Sequence, residues 1–451
     1  MDLSNFFNAT NIAIIGVSRN PNKIGHVIFR NLIDGEFNGN IFVVNPNVQS
    51  VLGYISYKNV SQIKENIDLA VIAVPAKQAI KVANECGRKK IKDLIIISAG
   101  FKEIGNNKLE SALQKAIKKY KLRVIGPNCL GILNTKNKLD TLFLPHYRLK
   151  RPKFGGISFV CQSGAVGSTI LDLASKEEDG FSKFVSYGNA IDIDESDLVE
   201  YLTTDENTKV ICLYVEAIKD SKKFMTIMKE ATKRKPVIVV KGGLTEEGNK
   251  ATLSHTGSLA GSADVYLAAF KQTGMIYAPS LEDMFNYARI LEGSIRPKNN
   301  RVQIITNGGG YGIICTDAII KNNLRMAEPS SETKRLLKKY FPPIVIINNP
   351  MDLTGDATTE RYRLSIEACL NDKNIDILLL VVLYQTPLVT TDVVDVITEF
   401  KTMHKKPIVV VSTGGEFTQI LKESLQNNGV PCFTYPENAV RSIKALVDYY
   451  L

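Results

Sequence analysis

The feature that most constrains this sequence is an internal duplication after residue 154. Four segments recur in form and in the same order. The pairs are GGISFVCQSGAVG (155–167) with RVQIITNGGGYG (301–312), NAIDI (189–193) with NPMDL (349–353), KVICLYVEAI (209–218) with DILLLVVLYQ (376–385), and KPVIVVKGG (235–243) with KPIVVVSTGG (406–415). Four ordered matches predict two similar βα domains, at 155–296 and 299–451, joined through GSIRPKNN.

Before this duplication, strands rich in valine and isoleucine alternate with helical patterns. The strands are NIAIIGVS (11–18), NIFVVNP (40–46), DLAVIAVP (68–75), DLIIISAG (93–100) and LRVIGPNC (122–129). This alternation predicts a parallel sheet covered on both faces, so residues 1–135 should form a Rossmann-type domain. The periodicity lapses over 136–154, which is predicted to be a linker. The expected fold class is α/β, with the Rossmann-type domain followed by two flavodoxin-like domains.

Parallel sheets of this type bind ligands outside the carboxyl ends of their strands. A dinucleotide site would show G-x-G-x-x-G after the first strand and an acidic residue at the end of the second. Here Ser18 and Asn45 break both features, whereas a lysine near the next helix start suits a phosphate. The alternative is a set of ordinary turns without a ligand. The candidate ligand-binding residues are Gly16, Ser18, Lys23, Gly25, Asn45, Pro46, Val74, Pro75, Ser98, Ala99 and Asn128.

Each copy of the duplication begins with a strand, a turn of small residues and a helix. Glycine in such a turn lets backbone N–H groups close on an anion, and the helix dipole adds partial positive charge. Both turns are therefore candidate phosphate sites, and two copies could face one another across a single phosphate. Any flavodoxin-like sheet also needs a turn at this point. The turn residues are Gln162, Ser163 and Gly164 in the first copy, and Asn307, Gly308, Gly309 and Gly310 in the second.

A histidine follows the KPVIVVKGG strand in the first copy only. His255 lies in LSHTGSLAG (253–261), among small residues that cannot form a core. Neutral imidazole is a good nucleophile toward phosphorus near neutral pH, which makes His255 the candidate nucleophile. The alternative is an exposed side chain in a surface loop. Because the second copy continues GEFTQILKES instead, the duplication marks His255 as an addition to the fold.

A nucleophilic histidine also needs a group that fixes its tautomer, usually a carboxylate or a carbonyl. Glu216 ends the apolar strand LYVEAI in the same predicted domain, where an unpaired carboxylate is unfavourable. It is the candidate partner of His255. The alternative is a glutamate at a strand end in solvent.

Composition argues against several other classes of protein. The seven cysteines are dispersed without a C-x-x-C pair, which predicts reduced, mostly buried thiols. The four histidines lie far apart, so no metal site is expected. The net charge of +10 comes from scattered lysines, which favours a solvated basic surface over a nucleic-acid site. Without a signal peptide or a long apolar run, we expect a soluble cytoplasmic protein with no membrane partner.

These motifs together resemble the NDP-forming acyl-CoA synthetases, which include succinyl-CoA synthetase and the archaeal ADP-forming acetyl-CoA synthetases. The resemblance implies that the first domain binds coenzyme A through the strand-end residues given above. It also implies that His255 is transiently phosphorylated, that Glu216 is its carboxylate partner, and that the two glycine-containing turns hold the phosphoryl group. The motifs are, in order, GVSRNPNKIG, VNP, AVPA, ISAGF, IGPNCLG, CQSGAVG, YGNAIDID, SHTGSLAG, NGGGYG and NNPMDLTG.

The resemblance is closest to the α subunit of the ADP-forming enzymes. No stretch is long enough for an ATP-grasp nucleotide domain, so the resemblance implies a separate ATP-grasp β subunit, in an α2β2 heterotetramer, that binds ADP or ATP with Mg²⁺. The implied reaction interconverts acyl-CoA, ADP and phosphate with a carboxylic acid, ATP and CoA, through an acyl phosphate and a phosphohistidine. Val48 and Ser168 stand where the succinyl enzyme has lysine and tyrosine, which predicts a smaller or more apolar acid.

Two other functions stay open on the sequence. One is a non-catalytic CoA-sensing scaffold with the same fold, although the presence of His255 counts against it. The other is an NAD-binding oxidoreductase, which Ser18 and Asn45 disfavour.

Overall fold

The computed structural model describes residues 2–177, 179–248, 250, 262–403 and 406–451. The chain divides into two compact units, Met1–Tyr277 and Ala278–Leu451. Among the described residues, no helix is both long and apolar enough to cross a membrane. The α/β fold class is confirmed, with three mostly parallel sheets flanked by helices.

The first unit begins with a seven-stranded sheet in the order β3-β4-β2-β1-β5-β6-β7. All pairs are parallel except β3 with β4. Strand order reverses between β1 and β5, so their carboxyl ends flank the crevice where such folds bind ligands. The strands are β1 (Asn11–Ile15), β2 (Asn40–Val44), β3 (Ser50–Val51), β4 (Tyr54–Tyr57), β5 (Leu69–Ile72), β6 (Asp93–Ile96) and β7 (Arg123–Ile125). The helices are α1 (Ser4–Asn8), α2 (Ile24–Asp34), α3 (Ala76–Arg88) and α4 (Asn107–Tyr120), with 3-10 turns at Val60–Gln62 and Lys102–Ile104.

A second sheet of the same unit has the order β14-β13-β12-β10-β11-β8-β9. Its central strands are parallel and buried, as expected for strands covered on both faces, and β8 with β9 forms an antiparallel edge. The strands are β8 (Gly131–Asn134), β9 (Leu139–Asp140), β10 (Phe154–Cys161), β11 (Phe181–Ser186), β12 (Val210–Val215), β13 (Val237–Lys241) and β14 (Ile276–Tyr277). The helices are α5 (Gly164–Lys176), α6 (Glu195–Thr204), α7 (Ser221–Ala231) and α8 (Ala263–Thr273).

The second unit contains a parallel sheet in the order β16-β15-β18-β19-β20, with β17 also paired to β15. The strands are β15 (Arg301–Thr306), β16 (Arg325–Met326), β17 (Met351–Asp352), β18 (Ile377–Val381), β19 (Ile408–Val411) and β20 (Cys432–Phe433). The helices are α9 (Leu281–Gly293), α10 (Gly309–Lys321), α11 (Ser331–Lys338), α12 (Thr359–Asn371), α13 (Val393–Met403), α14 (Glu416–Asn427) and α15 (Pro436–Tyr450).

The duplication extends to matching side-chain contacts. Lys235, just before β13, donates from Nζ to the carbonyls of Leu202 and Asp205 at the end of α6. In the second copy, Lys406 makes the same pair of bonds to carbonyls at the end of α12. A lysine at a helix carboxyl end satisfies orphan carbonyls and opposes the helix dipole. The lysine of the repeated K-P motif therefore stabilises the carboxyl end of one helix in each copy, α6 in the first and α12 in the second.

The domain boundaries inferred from the sequence stay predictions. The segment 136–154, predicted as a linker, contains β9, whose residues pair with β8 at the edge of the second sheet. Helix α9 lies within the predicted domain 155–296 but belongs to the compact unit Ala278–Leu451. The boundary between the two compact units therefore lies before α9, whereas the domain boundary predicted from the sequence lies after it.

Candidate active site

A cavity of about 900 Å³ opens at the carboxyl ends of β1, β5 and β6 in the first unit. Residues after β7, β10 and β12 also line it, so both sheets of the unit contribute to its wall. The predicted coenzyme A residues that line the cavity are Gly16, Ser18, Lys23, Gly25, Val74, Pro75, Ser98, Ala99 and Asn128.

Asn45 and Pro46 are not among the residues that line this cavity. The Asn45 amide donates to the carbonyl of Val17 at 2.6 Å, and its oxygen accepts from the backbone of Asn47 at 2.9 Å. The side chain therefore fixes the turn after β1.

Two glycines shape the wall of the cavity at the turn between β1 and α2. Gly16 has a φ of +100°, and a Cβ there would lie 2.4 Å from the carbonyl oxygen of Ala73. A Cβ on Gly25 would lie 2.3 Å from the carbonyl oxygen of Gly16. Because backbone atoms cannot yield as a flexible side chain can, both positions require glycine. Lys23 immediately precedes α2, and its side chain is exposed.

Polar residues that the sequence analysis did not single out hold the opposite side of the cavity. Glu103 accepts hydrogen bonds from the backbone of Gly100 and Phe101 and from the Asn189 amide at 2.6 Å. Burial raises the pKa of Glu103, but these hydrogen bonds outweigh that effect and leave the pKa below its ordinary value. Lys219 Nζ donates to the carbonyl of Asn189 at 2.5 Å. Asn189 thereby joins the strand ends of both sheets.

The predicted phosphate turn of the first copy lines the same cavity, through Gln162, Ser163 and Gly164. Ser163 caps α5, and its Oγ accepts from the backbone N–H of Val166 at 3.4 Å. A Cβ on Gly164 would first meet Leu130 Cβ, at 3.9 Å, so the backbone here is open. The start of α5 can therefore be reached from the cavity, with its dipole and unpaired N–H groups favouring an anion.

Glu216 also lines the cavity and is only 8% exposed. The alternative of a solvent-exposed glutamate is therefore wrong. Its backbone N–H donates to the Gln162 side-chain oxygen at 2.7 Å, and that oxygen also accepts from Ala217 at 3.1 Å. The oxygen of Gln162 is thus occupied by protein backbone. A phosphate at this turn would be contacted by other atoms.

The second predicted phosphate turn lies in the other compact unit. The Asn307 amide donates to Leu383 O and Thr386 Oγ1 and accepts from Leu383 N and the Tyr362 hydroxyl, all at 2.9 to 3.0 Å. These bonds use the full capacity of an asparagine side chain. Only backbone groups of Asn307 remain for a ligand.

The glycines of this turn differ in their surroundings. A Cβ on Gly308 would meet Leu383 Cδ1 at 2.5 Å, and one on Gly309 would meet Asp352 Oδ2 at 2.7 Å, whereas Gly310 has nothing within 4 Å. A carboxylate beside Gly309 repels an anion, so an approaching phosphate has most room at Gly310.

His255 and its motif, 253–261, lie outside the described residues. Its role as nucleophile is therefore a prediction from sequence. Cys129 is a thiol in the cavity wall, and burial raises its pKa to about 12. It is un-ionised at neutral pH and a poor nucleophile. Within the described ranges, no group of three or more His, Cys, Asp or Glu side chains could hold a metal ion.

Comparison with known protein families identifies three domains in order. The CoA binding domain matches residues 10–135, the succinyl-CoA ligase like flavodoxin domain matches 154–291, and the Ligase-CoA domain matches 302–448.

Similar proteins share this organisation. The chain is 39% identical to the acetate–CoA ligase [ADP-forming] II subunit alpha of Pyrococcus furiosus, over 99% of this chain and 97% of that protein. It is 42% identical to the acetate–CoA ligase [ADP-forming] of Methanocaldococcus jannaschii over 98% of its own length, and it spans 62% of that longer protein. The dinucleotide forming acetyl-coenzyme A synthetase 1 of Ca. Korarchaeum cryptofilum, solved in complex with phosphate and ADP, superposes with a TM-score of 0.94. That match has 35% identity and covers 99% of this chain and 97% of the other.

The residues that line the cavity come from both the CoA binding domain and the succinyl-CoA ligase like flavodoxin domain. The identity to the Pyrococcus subunit holds over nearly the full length of both chains. The chain therefore belongs to the family of ADP-forming acyl-CoA synthetases, and its domain content is that of an alpha subunit.

Proposed function

We propose that this chain is the α subunit of an ADP-forming acyl-CoA synthetase. The whole enzyme interconverts acyl-CoA, ADP and phosphate with a carboxylic acid, ATP and CoA. The observation that carries the proposal is the single cavity lined by both the βα turns of the first sheet and the Gln162–Gly164 turn of the second. A thioester held by the first set of turns would meet a phosphate held by the second.

The first step joins these two substrates. A phosphate oxygen attacks the thioester carbonyl, the carbon–sulfur bond breaks, and the products are an acyl phosphate and the CoA thiol. The N–H groups at the start of α5 hold the phosphate charge, and the helix dipole adds to their effect. Gly16 and Gly25 let the backbone of the first turn close on the CoA phosphates.

The second step moves the phosphoryl group to His255. An imidazole nitrogen attacks phosphorus, the bond to the acyl oxygen breaks, and the carboxylate leaves. Glu216 orients the imidazole and stabilises its positive charge, as a carboxylate does in other nucleophilic sites. The phosphohistidine then transfers its phosphoryl group to ADP. Because thioester, acyl phosphate and phosphohistidine are all high-energy species, the steps are reversible.

The nucleotide site belongs, in this proposal, to a separate ATP-grasp β subunit that holds ADP or ATP with Mg²⁺. The name of the Pyrococcus relative, a subunit alpha, supports a separate partner. The longer Methanocaldococcus relative, of which this chain spans 62%, supports additional sequence in the complete enzyme. We infer an α2β2 assembly.

The acid is proposed to be small or apolar. Leu130 and Phe143 line the cavity, and Leu130 is the side chain nearest to Gly164. These apolar surfaces suit an acyl group without a second carboxylate, in agreement with Val48 and Ser168 in the sequence. Acetate is the acid in the names of the two relatives above.

The enzyme is proposed to act in the cytoplasm. All seven cysteines are free and buried in the structure. Free thiols are typical of proteins that work in a reducing compartment.

The test is to incubate the purified chain with acetyl-CoA and radiolabelled phosphate, without nucleotide. We expect a label that is acid-labile and base-stable, and that is absent from His255→Asn. His146→Asn is the matched control, because its ring pairs with Asp140 and is not part of the cavity wall. If neither this mixture nor ATP with an ATP-grasp partner labels the chain, a CoA-sensing scaffold becomes the better account. NADH binding in preference to CoA would instead favour an oxidoreductase.

A further inference from the structure

The backbone of Glu216 is held on both sides by side chains. Strand β12 ends at Val215, whose carbonyl accepts from Gly242 N at 2.9 Å, so Glu216 lies just beyond the ladder. Its N–H donates to the Gln162 oxygen at 2.7 Å. Its carbonyl accepts from Lys241 Nζ at 2.8 Å. Gln162 follows β10 and Lys241 ends β13, the two strands that flank β12.

Lys241 is an unusual residue for this purpose. It is 5% exposed, and its ammonium group also donates to the carbonyl of Gly242 and faces the ring of Tyr266 at 4.5 Å. Burial lowers the pKa of Lys241 to about 8, and the charge of Glu216 opposes that effect. A buried charge is costly unless it is paired, so a neutral side chain would hold a carbonyl at lower cost.

The second copy of the duplication provides an internal comparison. Asn307, at the position of Gln162, accepts from the N–H of Leu383 at 2.9 Å. Ser412, at the position of Lys241, donates from its hydroxyl to the carbonyl of Val382 at 2.7 Å. The amide is thus common to both copies. Ser412 therefore bonds one residue before Leu383, and the carbonyl of Leu383 itself accepts from the Asn307 amide at 3.0 Å. A lysine holds this carbonyl in the copy that carries a glutamate.

Among the residues that the structure describes, the Glu216 carboxylate itself has only a long contact with the Tyr214 hydroxyl, at 3.4 Å. Its position in the cavity therefore depends on its backbone. A carboxylate that orients a reacting imidazole must be held to within about 0.5 Å. Fixing both backbone groups anchors the start of the side chain, and the charge of Lys241 attracts the carboxylate.

We propose that Gln162 and Lys241 are positioning residues that hold Glu216 in the cavity so that its carboxylate can act in phosphoryl transfer. The inference rests on the proposed function and assigns Gln162 a role different from phosphate binding. Gln162 supplies the acceptor for the Glu216 N–H, and Lys241 supplies the donor for its carbonyl and a charge for its carboxylate.

The principal test is Lys241→Met, which keeps an unbranched side chain of nearly the same length and removes the donor. A misplacement of about 1 Å costs on the order of 100-fold in rate, so we expect the rate of His255 labelling to fall by roughly 10–100-fold. The dissociation constant for CoA should change less than about twofold. Lys235→Met is the matched control, since that ammonium also donates to two carbonyls, at the opposite end of β13. Gln162→Leu should behave like Lys241→Met, and Lys241→Arg should recover part of the rate.

A double-mutant cycle separates positioning from a general structural role. If Lys241 acts through Glu216, Lys241→Met should cause little further loss in a Glu216→Gln background. Losses that simply multiply would overturn the proposal, as would a Lys241→Met enzyme with the wild-type rate.

Crystal structures of the Lys241→Met and Gln162→Leu variants provide a readout that does not depend on activity. We expect the Glu216 carboxylate to leave its wild-type position by more than about 0.5 Å. A carboxylate that stays in place overturns the inference even if the wild-type chain is phosphorylated. A wild-type chain that is never phosphorylated overturns the proposed function, whatever the variant structures show.

Discussion

At the scale of single residues, much of this site is made of backbone, and side chains act by shaping that backbone. Gly16 and Gly25 allow two chain segments to come into contact, and Gln162 and Lys241 hold the backbone N–H and the carbonyl of one residue. The side chain of Asn307 is fully used in hydrogen bonds to other parts of the second unit. A ligand phosphate would then meet N–H groups whose directions are already set. Such preorganised dipoles stabilise charge without reorganising during the reaction.

Gly25→Ala tests whether CoA binding needs the close contact between Gly25 and Gly16 in the turn between β1 and α2. The added methyl group would lie 2.3 Å from the carbonyl oxygen of Gly16, so the turn must open. We expect a loss of roughly 1–3 kcal/mol in stability, typical of overpacking, and at least tenfold weaker CoA binding. Thermal unfolding and calorimetric titration with CoA measure both. Gly355→Ala is the control, because its added carbon has nothing within 4 Å. Unchanged CoA affinity in Gly25→Ala would contradict this account of the turn.

The sequence predicted about half of the residues that line the cavity, because strand ends in a parallel sheet must meet at one edge. It could not show Lys219 or Lys241 as site residues, since a lysine after an apolar strand has no pattern that separates it from a solvated surface lysine. It also assigned Gln162 to phosphate, because a polar residue before a glycine turn is compatible with either role. The contact with the Glu216 N–H shows a structural role for the oxygen of Gln162, and phosphate binding by this residue stays a prediction.

At the scale of elements, the start of α6 concentrates charged side chains that are buried or paired. Asp194 caps the helix in a capping box with Asp197, and Lys223 from α7 pairs with both carboxylates at 3.0 and 2.7 Å. Glu195, the first residue of α6, is 4% exposed. The sequence motif YGNAIDID places acids at a helix start, as the dipole favours, but it cannot show which of them is buried. That depends on packing between elements.

Glu195 should make stability depend on pH. Burial raises the pKa of Glu195 to about 7 from an ordinary value of 4.5. Between these values the folded chain keeps a proton that the unfolded chain has released. The resulting stabilisation is complete below about pH 4.5 and is lost as the pH rises through 7. A shift of this size corresponds to roughly 3 kcal/mol.

The variant Glu195→Gln has a neutral side chain at every pH in this range. Its stability relative to the wild type should therefore increase as the pH rises. We expect its thermal midpoint to exceed that of the wild type by several degrees more at pH 8 than at pH 5. Glu206→Gln, an exposed glutamate near the end of the same helix, should show no such trend. If the thermal midpoints of Glu195→Gln and the wild type differ by the same amount at pH 5 and pH 8, Glu195 is ionised at both pH values and this account is wrong.

At the scale of the whole molecule, the chain consists of two compact units with separate cores. The apolar cluster around β15, β18 and β19 is formed entirely by residues of Ala278–Leu451. The duplication predicted two similar domains, and the sequence break at GSIRPKNN placed the boundary between them after α9. A break in composition marks a loop, whereas membership of a unit depends on which apolar faces pack together. Sequence patterns show where a loop lies, but they do not show which apolar faces pack together.

The position of α9 leads to a prediction about fragments. Helix α9 packs on α15, where Arg441 Nε donates to Asp283 at 2.9 Å and the Asn438 amide donates to Glu282 at 2.6 Å. Residues 278–451, expressed alone, should therefore unfold in one cooperative transition. Residues 299–451 lack α9 and its buried Met284, Ile290 and Leu291.

The shorter fragment should be less stable by roughly 5 kcal/mol, an upper estimate from the apolar surface that α9 covers. Circular dichroism during urea unfolding compares the two fragments at equal concentration. Double replacement of Asp283 and Glu282 by alanine in the longer fragment separates the polar contacts from the apolar ones. It should cost less than removing the helix, because Met284, Ile290 and Leu291 stay buried. If 299–451 is as stable as 278–451, α9 does not belong to the core of the second unit, and the boundary suggested by the sequence is the correct one.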